Sequence, residues 1–124
     1  MRSFGELESV IMDRVWSAAG PISVREMLEQ LREERPLAYT TVMTVMDNLH
    51  RKGWLRRSQQ GRAYLYEPVA AREAYSARLM SEAFAETDDP AATLVRFVGS
   101  MSPQETAALR QALDDEQGRG RTRR

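Results

Sequence analysis

The spacing of the apolar residues changes at Gly53, and this change limits the folds that the chain can adopt. Before Gly53 the apolar residues recur every three or four positions, which is typical of amphipathic helices. The segments 54–59 and 62–67 instead alternate, and Gln60-Gly61 between them favours a tight turn. The sequence therefore predicts a two-stranded β-hairpin directly after a helix.

Three helices are predicted before the hairpin. The first begins at a capping box of Ser3 and Glu6 and ends at Gly20-Pro21, and the third covers about residues 38–52. Three helices followed by a hairpin describe a winged helix-turn-helix. In this arrangement the third helix can enter the major groove of DNA while the hairpin, or wing, contacts phosphate beside it.

Helical spacing of apolar residues returns after the hairpin, in three short segments. None has an apolar face long enough to be stable alone in water, so we expect a second copy of the chain to cover them. The residues expected at this homodimer interface are Met80, Phe84, Leu94, Val95, Val98, Leu109 and Leu113. The predicted fold is mainly α with a small β-hairpin. It consists of a winged helix domain (1–69), a helical dimerisation arm (70–117) and a disordered basic tail (118–124).

The composition excludes several kinds of chemistry. The chain has no Cys and one His, His50, which excludes disulfides, thiolate metal sites and His-based metal sites or triads. Acid pairs such as Asp114 and Asp115 have no nucleophile or glycine-rich loop beside them, which indicates a solvated face rather than an enzyme. We therefore expect no metal, no cofactor and no small-molecule ligand. The absence of an apolar run of about 20 residues, with an N-terminus unlike a signal peptide, predicts a cytoplasmic protein.

The third predicted helix has an uncharged polar face opposite its apolar stripe. The residues on this face are Thr40, Thr41, Thr44 and Asn48, with Tyr39 and Met43 at its margins. A threonine hydroxyl can donate to or accept from a base edge, its methyl can pack on thymine, and asparagine can bind an adenine edge. This face therefore indicates base recognition, and an ordinary exposed helix is the alternative.

A basic segment is hidden by the formal net charge of zero. There is no acid between Asp47 and Glu67. The cations between them are Arg51, Lys52, Arg56, Arg57 and Arg62. Such a segment is a candidate phosphate-binding surface, and a solvated face is the alternative. We predict that these cations contact the DNA backbone, together with Tyr39.

The ordered set of motifs resembles the penicillinase-repressor (BlaI/MecI) family over residues 4–117. In the first helix the likeness is carried by Gly5-Glu6-Leu7-Glu8, Ile11-Met12 and Val15-Trp16. In the third helix and wing it is carried by Leu37-Ala38-Tyr39-Thr40-Thr41-Val42-Met43-Thr44, Asn48-Leu49, Lys52-Gly53 and Arg62-Ala63-Tyr64-Leu65-Tyr66-Glu67-Pro68. The resemblance implies a homodimeric transcriptional repressor that binds double-stranded DNA at a palindromic operator.

The resemblance also assigns residues. Base contacts then fall on Thr40, Thr41, Met43 and Thr44, although family members often carry a basic residue at the first and third of these positions. Repressors of this family are inactivated by cleavage of the arm under the control of a membrane sensor-protease. The matching cleavage site here is Arg96-Phe97, which departs from the commoner Asn-Phe pair.

A second class of function stays open at this point. Winged helices also serve as protein-interaction modules without sequence-specific DNA binding. Such a module would carry exposed apolar or acidic residues on its third helix, whereas this helix carries threonine and basic residues. The sequence therefore favours a DNA-binding repressor.

Overall fold

The computed structural model describes residues 4–122 as six helices and three short strands. In chain order the elements are α1 (Glu6–Ser17), β1 (Ile22–Ser23), α2 (Val24–Leu31), α3 (Tyr39–Arg51), β2 (Leu55–Gln60), β3 (Ala63–Pro68), α4 (Arg72–Ala85), α5 (Pro90–Gly99) and α6 (Pro103–Thr122). The chain divides after Ser81 into two compact units. This element order confirms the predicted fold class, which is mainly helical with a hairpin after the third helix.

The buried core lies in the first unit, where one face of each of α1, α2 and α3 packs with the strands. Its members are Ile11, Met12, Val15, Ile22, Val24, Met27, Leu31, Val42, Met46, Leu49, Leu55 and Tyr66. Ser23 caps α2 in a capping box, since its Oγ accepts from the Glu26 amide at 3.1 Å and its own amide donates to Glu26 Oε1 at 3.0 Å. The first helix begins at Glu6 with Gly5 as its N-cap, so the predicted cap is displaced, and Ser3 lies outside the described residues.

The sheet has a third strand that the apolar spacing did not predict. Its order is β1-β3-β2, and Ile22 lies opposite Tyr66 while Gln60 lies opposite Ala63. The hairpin turn is therefore Gly61-Arg62, one residue later than predicted. Gly61 has a φ of +63°, as the first central residue of a type II′ hairpin requires. A strand of two residues is too short to show an alternating pattern.

Four aromatic side chains attach the start of α4 to the first unit. The Phe4 and Tyr75 rings are stacked with centroids 4.0 Å apart, and Trp54 meets both edge-on. Trp16 lies beside them, and its Nε1 donates to the Ala70 carbonyl at 2.9 Å. The predicted boundary after residue 69 falls before these contacts, whereas the first compact unit extends to Ser81.

The second unit is helical and has no buried residue between 82 and 119 in the single chain. Asp89 caps α5 through the Ala92 amide, and Pro90 occupies the first helical position. The last helix continues to Thr122, which corrects the prediction of a disordered tail from residue 118. Arginine is a good helix former, and cations near a helix C-terminus interact favourably with its dipole. Arg123 and Arg124 lie outside the described residues.

Candidate nucleic-acid interface

The α3 helix is fixed by one fully buried face. Val42, Met46 and Leu49 have no exposed surface, and together they hold the helix on the core. Because these residues are three or four positions apart, the opposite face must point outward. The outward face is the one that carries the predicted base contacts.

The predicted base contacts lie together on this outward face. Thr40, Thr41, Met43 and Thr44 are exposed, as is Tyr39 at the start of the helix. Asn48 is half-buried, and its Oδ1 accepts a hydrogen bond from Arg51 Nη2 at 2.8 Å. The threonines and Met43 are thus available to a base edge, whereas one of the two lone pairs of Asn48 Oδ1 is already used by Arg51.

Two of the residues that are predicted to contact the DNA backbone, Arg51 and Arg57, share one carboxylate. Arg51 Nη2 lies 2.9 Å from Asp47 Oδ2, and Arg57 Nη1 donates to Asp47 Oδ1 at 3.0 Å. The Arg57 guanidinium also lies over the Tyr64 ring, 4.2 Å from its centroid. Hydrogen bonding to the Tyr66 side chain raises the pKa of Arg57. Asp47 therefore joins the end of α3 to the wing.

Lys52 is held by an acid from the first helix. Its Nζ donates to Glu8 Oε2 at 2.7 Å, while Glu8 Oε1 accepts from the Gly5 amide at 3.0 Å. Partial burial raises the pKa of Glu8, but the hydrogen bonds from Lys52 and Gly5 and the charge of Lys52 outweigh it and lower this pKa. Glu8 is consequently ionised near neutral pH and neutralises Lys52 in the free protein.

Besides Arg57, the wing carries two residues predicted to contact the DNA backbone, one paired with an acid and one unpaired within the described residues. Arg56 Nε donates to Glu67 Oε1 at 3.2 Å across the two strands. Arg62 is exposed at the turn and forms no ion pair with any residue in the described part of the chain. Arg62 can bind a phosphate without first leaving a carboxylate.

Sequence reasoning missed the acids of this surface. Four of the five cations form ion pairs with acids, which are Glu8, Asp47 and Glu67. The segment between Asp47 and Glu67 contains no acid, but the folded surface around its cations does. Only Asp47 could have been found from spacing, since it precedes Arg51 by four positions on one helix. Exposed ion pairs contribute little, typically 0 to about 1 kcal/mol. Releasing or sharing such a carboxylate when a phosphate binds therefore costs little.

Residues 4–122 contain no group of side chains suited to a metal ion, since no three His, Asp or Glu side chains come close enough there to hold one. His50 instead places Nδ1 3.1 Å from the Leu55 carbonyl oxygen, between α3 and the wing. No helix among these residues is long and apolar enough to cross a membrane.

Comparison with known proteins agrees with this geometry. Residues 4–115 match the model of the penicillinase repressor family. The transcriptional regulator BlaI from two strains of Mycobacterium tuberculosis is 42% identical over 120 residues, which cover 94% of this chain and 87% of BlaI. The solution structure of the DNA-binding domain of the repressor BlaI has a similar fold. The aligned region covers 58% of this chain and 90% of that domain, and the two are 23% identical in sequence with a TM-score of 0.51.

Proposed function

The chain belongs to the penicillinase repressor family, and we propose that it represses transcription as a homodimer bound to a palindromic operator, in the manner of a β-lactamase repressor. It is a DNA-binding transcriptional repressor and not an enzyme. The observation that carries the proposal is the exposed threonine face of α3, and it is accompanied by an exposed Arg62 in the wing that has no ion pair within the described residues. Base edges and phosphates are the ligands that these two surfaces fit. A repressor that binds chromosomal DNA acts in the cytoplasm.

The exposed apolar residues of α4, α5 and α6 support the homodimer. Seven large apolar side chains of these helices are exposed in the single chain. They are Met80 and Phe84 of α4, Leu94, Val95, Phe97 and Val98 of α5, and Leu113 of α6. Leu109 is half-buried. Exposed apolar residues this numerous on a short segment are typical of a protein interface. An identical chain supplies a matching surface, and two-fold pairing presents two recognition helices to inverted half-sites.

We further propose that cleavage of the arm relieves repression, through a membrane sensor-protease. The assigned bond, Arg96-Phe97, lies inside α5 rather than in a loop. A protease needs an extended segment, so this helix must open locally before it is cut. In the single chain this opening costs little, because no residue between 82 and 119 is buried before the partner covers the arm. Cleavage separates α6 from the rest of the arm.

Selection of bound duplexes from a random pool tests the proposal. The full chain should enrich inverted half-sites whose centres are one helical turn, about 10 base pairs, or a multiple of it apart. Enrichment of a single half-site would contradict the homodimer. No enrichment of any duplex would contradict sequence-specific recognition and would favour the protein-interaction alternative.

The wing and the recognition helix should respond differently to substitution. Arg62→Ala removes a phosphate contact, so it should weaken binding to every duplex alike and reduce the salt slope by about one per wing. Thr44→Ala removes a base contact and should instead lower the preference for the selected site by about 1–3 kcal/mol per base pair read. Fluorescence anisotropy with selected and random duplexes measures both effects. An Arg62→Ala chain whose losses depended on sequence would contradict this division.

A further inference from the structure

Asp47 binds one arginine with each of its two carboxylate oxygens, and the two arginines belong to different elements. Arg51 is in the last turn of α3, and Arg57 is in β2. The N···O distances are 2.9 and 3.0 Å, short enough for charge-assisted hydrogen bonds. The Asp47 side chain keeps 35% of its surface exposed, so this bridge lies at the surface rather than in the core.

The position of Asp47 on α3 places its charge where DNA must approach. It is three residues after Thr44 and four before Arg51, and side chains at these spacings are neighbours on one helix face. A carboxylate at this place repels the phosphates of any duplex. Its two arginines offset the repulsion only for a duplex whose phosphates lie within reach of both.

We propose that Asp47 is a positioning residue that sets the preference of the protein for its operator over other DNA, an inference that rests on the proposed function. The bridge holds Arg51 and Arg57 at a fixed separation across the angle between α3 and the wing. A duplex that docks in this register keeps the bridge and gains two phosphate contacts. A duplex in another register is repelled by the Asp47 charge and does not gain the two phosphate contacts that would offset this repulsion. The repulsion therefore disfavours the wrong duplexes and contributes to specificity.

The test compares Asp47→Asn with wild-type full chain on a selected duplex and a random duplex. Asparagine keeps the shape of the side chain and removes the charge. Affinity for the random duplex should rise severalfold, and its salt slope should steepen by about one per protomer. The preference for the selected duplex should fall about tenfold, because the repulsion against wrong registers is gone.

Glu67→Gln is the matched control. It also removes one carboxylate that pairs an arginine, but Arg56 and Glu67 lie opposite each other within the wing. Its effect should be an equal gain in affinity for both duplexes, with the preference unchanged. Asp47→Glu keeps the charge with a displaced carboxylate, and it should retain the wild-type salt slope and most of the preference.

The outcomes separate this inference from the proposed function. A wild-type chain with no preference for any duplex overturns both. A wild-type preference that Asp47→Asn leaves unchanged, or lowers no more than Glu67→Gln does, overturns only the role of Asp47. An Asp47→Glu chain as unselective as Asp47→Asn would also overturn it, as would a loss confined to one base pair, which would make Asp47 a direct base contact. Thermal unfolding of each variant shows that the comparison is made between folded proteins.

Discussion

Raising the salt concentration from 50 to 200 mM should weaken operator binding by about 10³- to 10⁵-fold. If each protomer neutralises about three to five phosphates, the logarithm of the binding constant falls against the logarithm of salt with a slope of roughly −5 to −9. We expect the cations at the end of α3 and in the wing, together with backbone amides, to supply these contacts.

The ion pairs of the free protein place the expected slope at the shallow end of this range. Four of the five cations are paired with an acid in the free protein, so each must leave or share a carboxylate in order to bind phosphate. These cations are Arg51, Lys52, Arg56 and Arg57. Salt also screens these exposed pairs, so it lowers the cost of breaking them while it weakens the phosphate contacts. Anisotropy titrations at four salt concentrations measure the slope. A flat response would contradict phosphate-driven binding.

The core-facing pattern of the first unit could be predicted because it is local. Val42, Met46 and Leu49 repeat at helical spacing, and all three are fully buried. The same rule assigned the outward face of α3, since a helix that buries one stripe must expose the opposite one. The fold class and the outward face of α3 therefore followed from the spacing of apolar residues together with the turn residues.

The electrostatics of the site could not be predicted because they depend on contacts between distant residues. Glu8 and Lys52 are 44 positions apart in the chain, yet their side chains are 2.7 Å apart in space. No spacing rule connects an acid in the first helix with a cation at the end of the third. The predicted basic surface is consequently far less positive in the free protein than its sequence indicates.

The first compact unit extends past residue 69 for the same reason. Tyr75 follows the wing, but its hydroxyl accepts from the Phe4 amide at 2.8 Å, across 71 positions of sequence. Stacked aromatic pairs contribute about 0.5–1.5 kcal/mol beyond the area that they bury. That contact is enough to hold the start of α4 on the first unit, although its sequence resembles the rest of the arm.

Ending the chain at Arg96 should lower operator affinity by about 10²- to 10⁴-fold, the gain that linking two binding sites commonly provides. The truncation removes the part of the arm that a cleaved repressor would lose. The apolar residues that it removes from the proposed interface are Phe97, Val98, Leu109 and Leu113. It should leave the winged helix folded, because all the buried residues in the described part of the chain lie between Ile11 and Tyr66. Sedimentation should show a monomer, and anisotropy should show binding to an isolated half-site with nearly unchanged affinity.

A chain that ends at Gln117 is the control for the truncation. It removes the last basic residues but keeps the apolar residues of the arm, so its assembly and its selected site should be those of the full chain. A chain ending at Arg96 that binds the operator as tightly as the full chain would contradict relief by cleavage.

Val95→Asp in the full chain separates loss of the interface from loss of chain length. Val95 is 72% exposed in the single chain, so aspartate there costs the monomer almost nothing. At a dimer interface the same carboxylate would be buried without a partner, which is strongly unfavourable. The variant should therefore reproduce the monomer and the affinity loss of the truncation with every residue present. If it stays dimeric while the truncation does not, the two copies pair through another surface of the arm, and the cut acts by removing that surface.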